Sequence, residues 1–404
     1  MGPLCLGGMK LRVAGVLVLL LAGFLTFNYF LRPIPAVAVS PSVPTATTTA
    51  GTAPSLPWPK VGAAAVGVSG LGLIATSGNE KAVPAASVAK VMTALVILED
   101  KPLKKNDQGP SILITDQDVA TYQSEKSQEQ SVVEVRLGEQ LSEFDALQGL
   151  LIPSGNNLAF TLANWDAGTV DAFVAKMNKR GKALGMNHTT FADAAGVSPQ
   201  TVSTPSDLVA LGMTAMKQEV LAQIVATTDA KLPIAGTVYN VDYALGQSGI
   251  IGIKTGSGLS SAANFLFAAS TTVGGFTITM FGCVMGQATL DLAFDAAKAL
   301  IAAMQPSLSV KRVVYKYEAV GSYEPPWAGH SDLLTTTNVD LVEWPGMILR
   351  QSVRAPALAI NKPLPPGTAE GLLHVLLGDY SIDVPLMTSD ALYPPGRFWR
   401  LTRL

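Results

Sequence analysis

Between residues 84 and 98 the chain reads Pro-Ala-Ala-Ser-Val-Ala-Lys-Val-Met-Thr-Ala-Leu-Val-Ile-Leu, and this stretch limits the fold more than any other. Apolar residues at positions 91, 94, 95 and 98 recur at helical spacing, so the segment forms a helix with one face turned to a core. Ser87 stands where an N-cap is expected, at the positive end of the helix dipole, and Lys90 follows three residues later. Residues three apart share a helix face, so the hydroxyl and the amine project together as a candidate nucleophile with its own base.

Serine and lysine are common, and the pair gains weight only from two later segments in a fixed order. Ser154-Gly155-Asn156 supplies a second hydroxyl and an amide, and Lys254-Thr255-Gly256 a second amine. Ser-x-x-Lys, Ser-x-Asn and Lys-Thr-Gly in that order match the motif set of penicillin-binding proteins and active-site-serine β-lactamases. The text between them narrows the match. Arg136-Leu137-Gly138-Glu139 leads to Leu150-Leu151-Ile152-Pro153-Ser154-Gly155-Asn156, and the stretch 173–178 follows. Then come Gly185-Met186-Asn187-His188-Thr189-Thr190-Phe191 and Ser203-Thr204-Pro205-Ser206-Asp207-Leu208. Over residues 61–304 the chain resembles the low-molecular-mass penicillin-binding proteins that act as serine D-alanyl-D-alanine carboxypeptidases.

That resemblance implies roles. Ser87 is the nucleophile that forms an acyl-enzyme with the penultimate D-Ala of a peptidoglycan stem peptide and releases the terminal one. Lys90 accepts the Ser87 proton, which requires its pKa to fall well below the free value of about 10.4, through burial and the nearby Lys254 cation. Ser154 relays a proton to the departing amine, and Asn156 bonds the substrate amide or holds Lys90. Lys254 and Thr255 suit the terminal carboxylate, while Gly256 lets its strand pass close to the Ser87 helix. The backbone N–H groups of Ser87 and Ser257 form the oxyanion hole. No metal or cofactor is implied, and β-lactams are the expected covalent inhibitors. Two positions depart from the family pattern. Asn157 replaces the usual Asp after Ser-x-Asn, which bears on helix capping, and Ser257-Gly258-Leu259-Ser260 replaces an aromatic and a Thr at the cleft rim.

Two rival readings stand beside this one. A class A β-lactamase deacylates with a glutamate-held water, and between Ser154 and Lys254 the only glutamate is Glu219. A catalytically silent peptidoglycan-binding protein keeps the fold without the reaction.

With 404 residues the chain exceeds one ordinary core, so two domains are expected. A net charge of -2 gives no general attraction for nucleic acid. Cys5 and Cys283 are too few and too separate for a disulfide framework or a zinc site. His188, His330 and His374 are scattered singly, which leaves a Ser-His-Asp triad without support.

Residues 13–31 carry no charge and span about 28 Å as a helix, close to the hydrocarbon thickness of a bilayer. Lys10 and Arg12 precede this run, so the N-terminus faces the cytoplasm and the rest lies outside. The competing reading is a signal peptide cleaved at Ala36-Val37-Ala38; the length of the apolar run favours an uncleaved anchor.

The domain boundaries follow from composition. Residues 1–32 form the anchor, 33–59 a Pro/Thr/Ala-rich linker read as an extended tether, 60–305 the catalytic domain and 306–404 a small all-β domain. Within the catalytic domain, strands at 61–68, 71–76, 250–255, 264–269 and 276–285 bracket a helical insert with helices at 141–152, 171–184 and 205–216. Ser77-Gly78-Asn79 reads as a hairpin turn. The expected fold class is α+β: an antiparallel sheet covered by helices, with a helical subdomain, of the β-lactamase/transpeptidase type. The terminal residues 398–404 are too short for a membrane helix, which leaves anchoring to the N-terminal segment.

Overall fold

The computed structural model describes residues 5–78, 80–258 and 261–403 and divides into two compact units. The larger comprises Gly51–Val310 with Val342–Pro345, and the smaller Met1–Ala50, Lys311–Leu341 and Gly346–Leu404.

The larger unit is organised by one antiparallel sheet. Its strands run in the order Ile250–Gly258, Ser261–Val273, Phe276–Gln287, Ala63–Val68 and Gly72–Thr76. Strand alternation sorts the side chains. Phe265 is edge-on to Phe294 of the Leu290–Met304 helix at 4.9 Å, while Leu266 and Ala268, the alternate positions, join the helical core on the other face. Gly274 and Gly275, both at positive φ, close the long hairpin, as a two-residue turn between twisted strands requires.

The Lys90–Asp100 helix lies at the centre of that core. Every residue from Lys90 to Leu98 is buried, so the apolar stripe seen in the sequence is part of a helix enclosed on all sides. Around it pack the helices Glu143–Leu151, Asn156–Ala167, Val170–Ala183 and Pro205–Ala215. The stretch 100–130 contains a regular helix, Asp116–Ser127, opened by a capping box in which Thr115 and Asp118 bond each other's backbone N–H. Ser77 extends the first hairpin by bonding Ala64 in both directions, and Asn79 lies outside the described residues.

The smaller unit is a seven-stranded antiparallel sheet. Its inner strands are Ala319–Tyr323, Ser331–Thr335, Tyr380–Thr388, Ala369–Leu377 and Ile348–Arg354, in that order. Its two edges come from elsewhere in the chain. Val39–Pro41 pairs with Ala319–Tyr323, and Ala46–Thr48 pairs with Ile348–Arg354. The segment 33–59, expected as a free tether, therefore ends both sides of this sheet. A Pro/Thr/Val-rich stretch serves an edge as readily as a linker, because an edge strand needs pairing on one side only and tolerates proline there.

The apolar helix Cys5–Thr26 runs on through a turn of π-helix at Phe27–Leu31. The window Lys10–Leu31 has a mean hydropathy of 2.1 and is 6% buried, long and apolar enough to cross a membrane. At the end of this stretch the segment 397–403 folds back against it. The Arg403 guanidinium donates to the carbonyls of Asn28, Arg32 and Pro33, and the Asn28 amide donates to the Arg403 carbonyl at 3.0 Å. The short helix Arg397–Thr402 adds Trp399, edge-on to Trp327 at 5.1 Å.

A chain beginning at residue 60 lacks both edge strands. Compared with a chain beginning at residue 33, alternate amides in Ala319–Tyr323 and Ile348–Arg354 should then exchange with solvent at least about tenfold faster. Hydrogen exchange read by mass spectrometry checks this, and equal protection in the two chains would show that the edge pairing contributes nothing.

Candidate active site

The nucleophile candidate sits on a kink. Ser87 belongs to a 3-10 turn, Ala86–Ala89, that precedes the Lys90–Asp100 helix, and no side-chain cap forms at either start. The expectation of Ser87 as N-cap is thus corrected: its hydroxyl is engaged by Lys90 instead, whose Nζ donates to Ser87 Oγ at 2.8 Å. Ala86 just before it has φ of 49°, a left-handed conformation rare outside glycine, and the turn around it is held from three sides. Asn264 donates to the carbonyls of Pro84 and Ala85. At Gly256 an added Cβ would stand 2.8 Å from the Ala85 carbonyl oxygen. At Gly196, with φ of +79°, an added Cβ would stand 1.9 Å from the Ala86 oxygen, so only glycine fits.

Lys90 is fully buried, and its ammonium donates three hydrogen bonds. Beside Ser87 Oγ these go to Asn156 Oδ1 at 2.7 Å and to the Ala195 carbonyl at 2.9 Å. Burial, and then the Lys254 charge, hold its pKa well below the usual lysine value, against the upward pull of Asp193 and Glu125.

Asn156 opens the Asn156–Ala167 helix, following Ser154, which is itself left-handed at φ of 66°. The Asn156 amide is held at both ends, since Nδ2 donates to Glu125 Oε2 at 2.9 Å. Ser154 is 4% exposed, and its Oγ has no protein hydrogen-bond partner among the described residues. Asn157 is no cap. It bonds one backbone residue in both directions, accepting from Val133 N–H and donating to Val133 C=O, each at 2.9 Å. A carboxylate cannot donate, which accounts for an amide here.

Lys254, on the Ile250–Gly258 strand, is 1% exposed and likewise has no protein hydrogen-bond partner among the described residues. Burial lowers its pKa to about 7, partly opposed by Asp242, whose own carboxyl is pushed up by burial to about 6. Thr255 beside it is buried. Ser257 and Gly258 line a pocket together with Pro84, Ser87, Gln130 and Asn156, and the departure at Leu259-Ser260 falls outside the described residues.

Ser87, Asn156 and Ser257 thus line one cleft, and Lys90 bonds the first two of them; Ser154 and Lys254 are buried and are not among the residues that line it. Sequence reading missed several supports. Asp193 accepts from the backbone N–H groups of Ala195, Gly196, Val197 and Ser198 and from the Thr201 hydroxyl, and so presents the Ala195 carbonyl to Lys90. An aspartate three residues before Gly196 is a turn signal, though a common one. Glu125 and Asn264 carried no local signal at all. Of the rival residues, Glu219 is 68% exposed and faces Lys105 at 3.8 Å, away from the cleft.

Comparison with known proteins agrees with this geometry. The peptidase S11 family, D-alanyl-D-alanine carboxypeptidase, matches residues 69–289. D-alanyl-D-alanine carboxypeptidase DacF of Bacillus subtilis is 29% identical over 189 residues, 45% of this chain and 46% of the relative. DacB2 of Mycobacterium tuberculosis is 34% identical over 211 residues, 50% of this chain and 67% of the relative. The matches to the first relatives thus span about half of their length. Among solved structures, the Streptomyces K15 DD-transpeptidase is 27% identical, with a TM-score of 0.53 over 62% of this chain and 98% of its own. Penicillin-binding protein 5 from Haemophilus influenzae shares the fold at 18% identity, with a TM-score of 0.61 over 85% of this chain and 99% of its own.

Asp193→Ala removes five accepted hydrogen bonds and frees the Ala195 carbonyl. The expected loss is about 2–4 kcal/mol of stability and at least about a tenfold drop in the rate at which Ser87 is acylated by a fluorescent penicillin. Urea unfolding and labelling kinetics check the two separately, and an undiminished labelling rate would show that the loop does not aim Lys90.

Proposed function

Because the chain belongs to the D-alanyl-D-alanine carboxypeptidase family, we propose that it is a membrane-anchored serine enzyme that removes the terminal D-Ala from peptidoglycan stem peptides. One observation carries this reading: the 2.8 Å contact between Ser87 Oγ, at the mouth of the pocket, and a fully buried Lys90 amine.

In the proposed reaction Lys90, neutral, takes the Ser87 proton as Oγ attacks the penultimate D-Ala carbonyl. The backbone N–H groups of Ser87 and Ser257 stabilise the oxyanion, for which their place on one pocket wall is suited. Lys254 and Thr255 hold the terminal carboxylate. A buried amine with no protein hydrogen-bond partner among the described residues suits an incoming carboxylate, whose charge would add to that of Asp242 in favouring the protonated form. Ser154 passes a proton to the departing D-Ala amine, and water then releases the shortened peptide. A β-lactam acylates the same serine. The surface position of Glu219 speaks against a class A β-lactamase.

The apolar window Lys10–Leu31 supports anchoring, with Lys10 and Arg12 on the cytoplasmic side and the catalytic unit outside. Retention of this segment is supported by the smaller unit. Val37, within the alternative Ala36-Val37-Ala38 cleavage site, is 5% exposed and bonds Leu358 through both backbone groups, while Asn28 is bound by Arg403. Peptide mass mapping of protein isolated from membranes should recover residues before 36, and a mature chain starting at 39 would overturn the anchor.

Purified full-length protein should release D-Ala from a pentapeptide and be labelled by a fluorescent penicillin, and Ser87→Ala should abolish both. Labelling without D-Ala release would favour the catalytically silent reading, and rapid penicillin turnover the β-lactamase one. The pH dependence has a definite sign. Lys254, lowered to about 7, is charged below that value and neutral above it. Capture of a carboxylate therefore fails as pH rises, and kcat/KM for the peptide should fall about tenfold per unit above its limb. A penicillin methyl ester, which has no carboxylate, should lack that falling limb. An identical limb for acid and ester would remove Lys254 from carboxylate recognition.

A further inference from the structure

Glu125 lies on a helix that shares no motif with the catalytic segments, yet its carboxylate touches one of their side chains. We propose that Glu125 is a positioning residue: by accepting the Asn156 Nδ2–H bond at 2.9 Å it fixes the amide so that Oδ1 faces Lys90. This inference rests on the serine-enzyme reading given above and assigns Glu125 a part in its first step.

An asparagine amide has one accepting and one donating end, and nothing in its shape favours either orientation. Whether Lys90 is charged or neutral with its lone pair toward Ser87, it presents an N–H to Asn156 and so needs an acceptor there. Were the amide reversed, Nδ2 would point its hydrogens at that N–H and a buried donor would be left unpaired. Of the two groups on the far side of Asn156, Gln130 Oε1 is 3.5 Å away and belongs to an amide that can itself reverse. The Glu125 carboxylate has no such freedom: when ionised it only accepts. The orientation of Asn156 is thus set by the residue with a single mode of bonding.

The carboxylate is itself delivered by a built scaffold. The Asp116–Ser127 helix starts at the Thr115–Asp118 capping box. Asp118 Oδ1 accepts from the Thr161 hydroxyl at 2.7 Å, which ties this helix to Asn156–Ala167 one and a half turns beyond Asn156. At the other end Asn156 N–H donates to the Ser131 carbonyl at 2.8 Å, closing the segment that follows Glu125 onto the same helix start. Glu125 also belongs to the charge balance of Lys90. Facing that amine are Lys254, which lowers its pKa, and Asp193 and Glu125, which raise it.

The two substitutions Glu125→Ala and Glu125→Gln separate these effects. In full-length protein in detergent micelles, acylation by a fluorescent penicillin and D-Ala release from a pentapeptide are measured between pH 5 and 10. Glu125→Ala should lower kcat at least about tenfold with KM nearly unchanged. Glu125→Gln puts a reversible amide in place of the carboxylate, so it should fall between wild type and Glu125→Ala in rate, while loss of the charge moves the rising limb of the profile to lower pH. The Asn156→Ala variant should lose no further rate when Glu125→Ala is added, since the glutamate acts through that amide. An active wild type with Glu125→Ala at the same rate and the same profile overturns the role of Glu125 alone. Glu125→Ala that acylates normally but accumulates as acyl-enzyme also overturns it, because the carboxylate would then serve deacylation. A double variant slower than Asn156→Ala overturns the route through Asn156. A wild type that neither acylates nor releases D-Ala overturns the serine-enzyme reading, and the Glu125 role falls with it.

Discussion

The structure depends on a single buried amine. Lys90 has three hydrogens to donate and three acceptors to receive them, brought by three separate stretches of chain: Ser87, Asn156 and the Ala195 carbonyl. An ammonium without such partners would be expelled from an apolar core or forced neutral, so the helical subdomain can close around the Lys90–Asp100 helix only if these stretches converge. The same arrangement has a chemical consequence. When Lys90 loses a proton its two remaining N–H groups stay with Asn156 and Ala195, which leaves the lone pair directed at Ser87. In the proposed reaction the two fixed acceptors would turn a satisfied cation into an aimed base.

The second buried lysine is the counterpart of the first. Lys90 is fully partnered, whereas Lys254 has no protein hydrogen-bond partner among the described residues, and each charge disfavours the other. Two buried ammonium groups that feel each other's charge cannot both be comfortable, and in the proposed reaction the conflict would resolve with one deprotonated while the other meets an anion. Burial and the Lys254 charge both push Lys90 down, whereas Asp242 helps Lys254 keep its proton. In the proposed reaction a base and an anion site would therefore be obtained from one residue type by environment alone.

The sequence was most legible where function sits in short, local patterns. Ser87 and Lys90 lie one turn apart, and Lys254-Thr255-Gly256 fits a strand packed against that turn. The short runs at 264–269 and 276–285 and the Gly274-Gly275 turn between them likewise revealed the sheet. What stayed hidden acts across long sequence distances. Glu125 meets Asn156 31 positions away, and Asn264 meets Pro84 180 positions away, with no periodicity to announce either pairing. Residues 33–59 misled for the same reason. Their composition describes a chain without a core of its own, which holds for a tether and equally for edge strands whose partners stand some 280 and 300 residues later.

The strain at the nucleophile has a structural logic. Ala86 at φ of 49° and Ser154 at φ of 66° each carry an unfavourable backbone of about 1–2 kcal/mol, and both stand within a residue or two of a group that contacts Lys90. Such conformations persist only when surrounding contacts over-determine them. Here they do: the Ala86 carbonyl packs against the bare Cα of Gly196, Gly256 admits the Ala85 carbonyl, and Asn264 bonds the two carbonyls before it. Relaxing the kink would require all three to yield together. The turn therefore holds Oγ at its distance from Nζ, and in the proposed reaction the energy of substrate binding would be left for the transition state rather than for assembling the site.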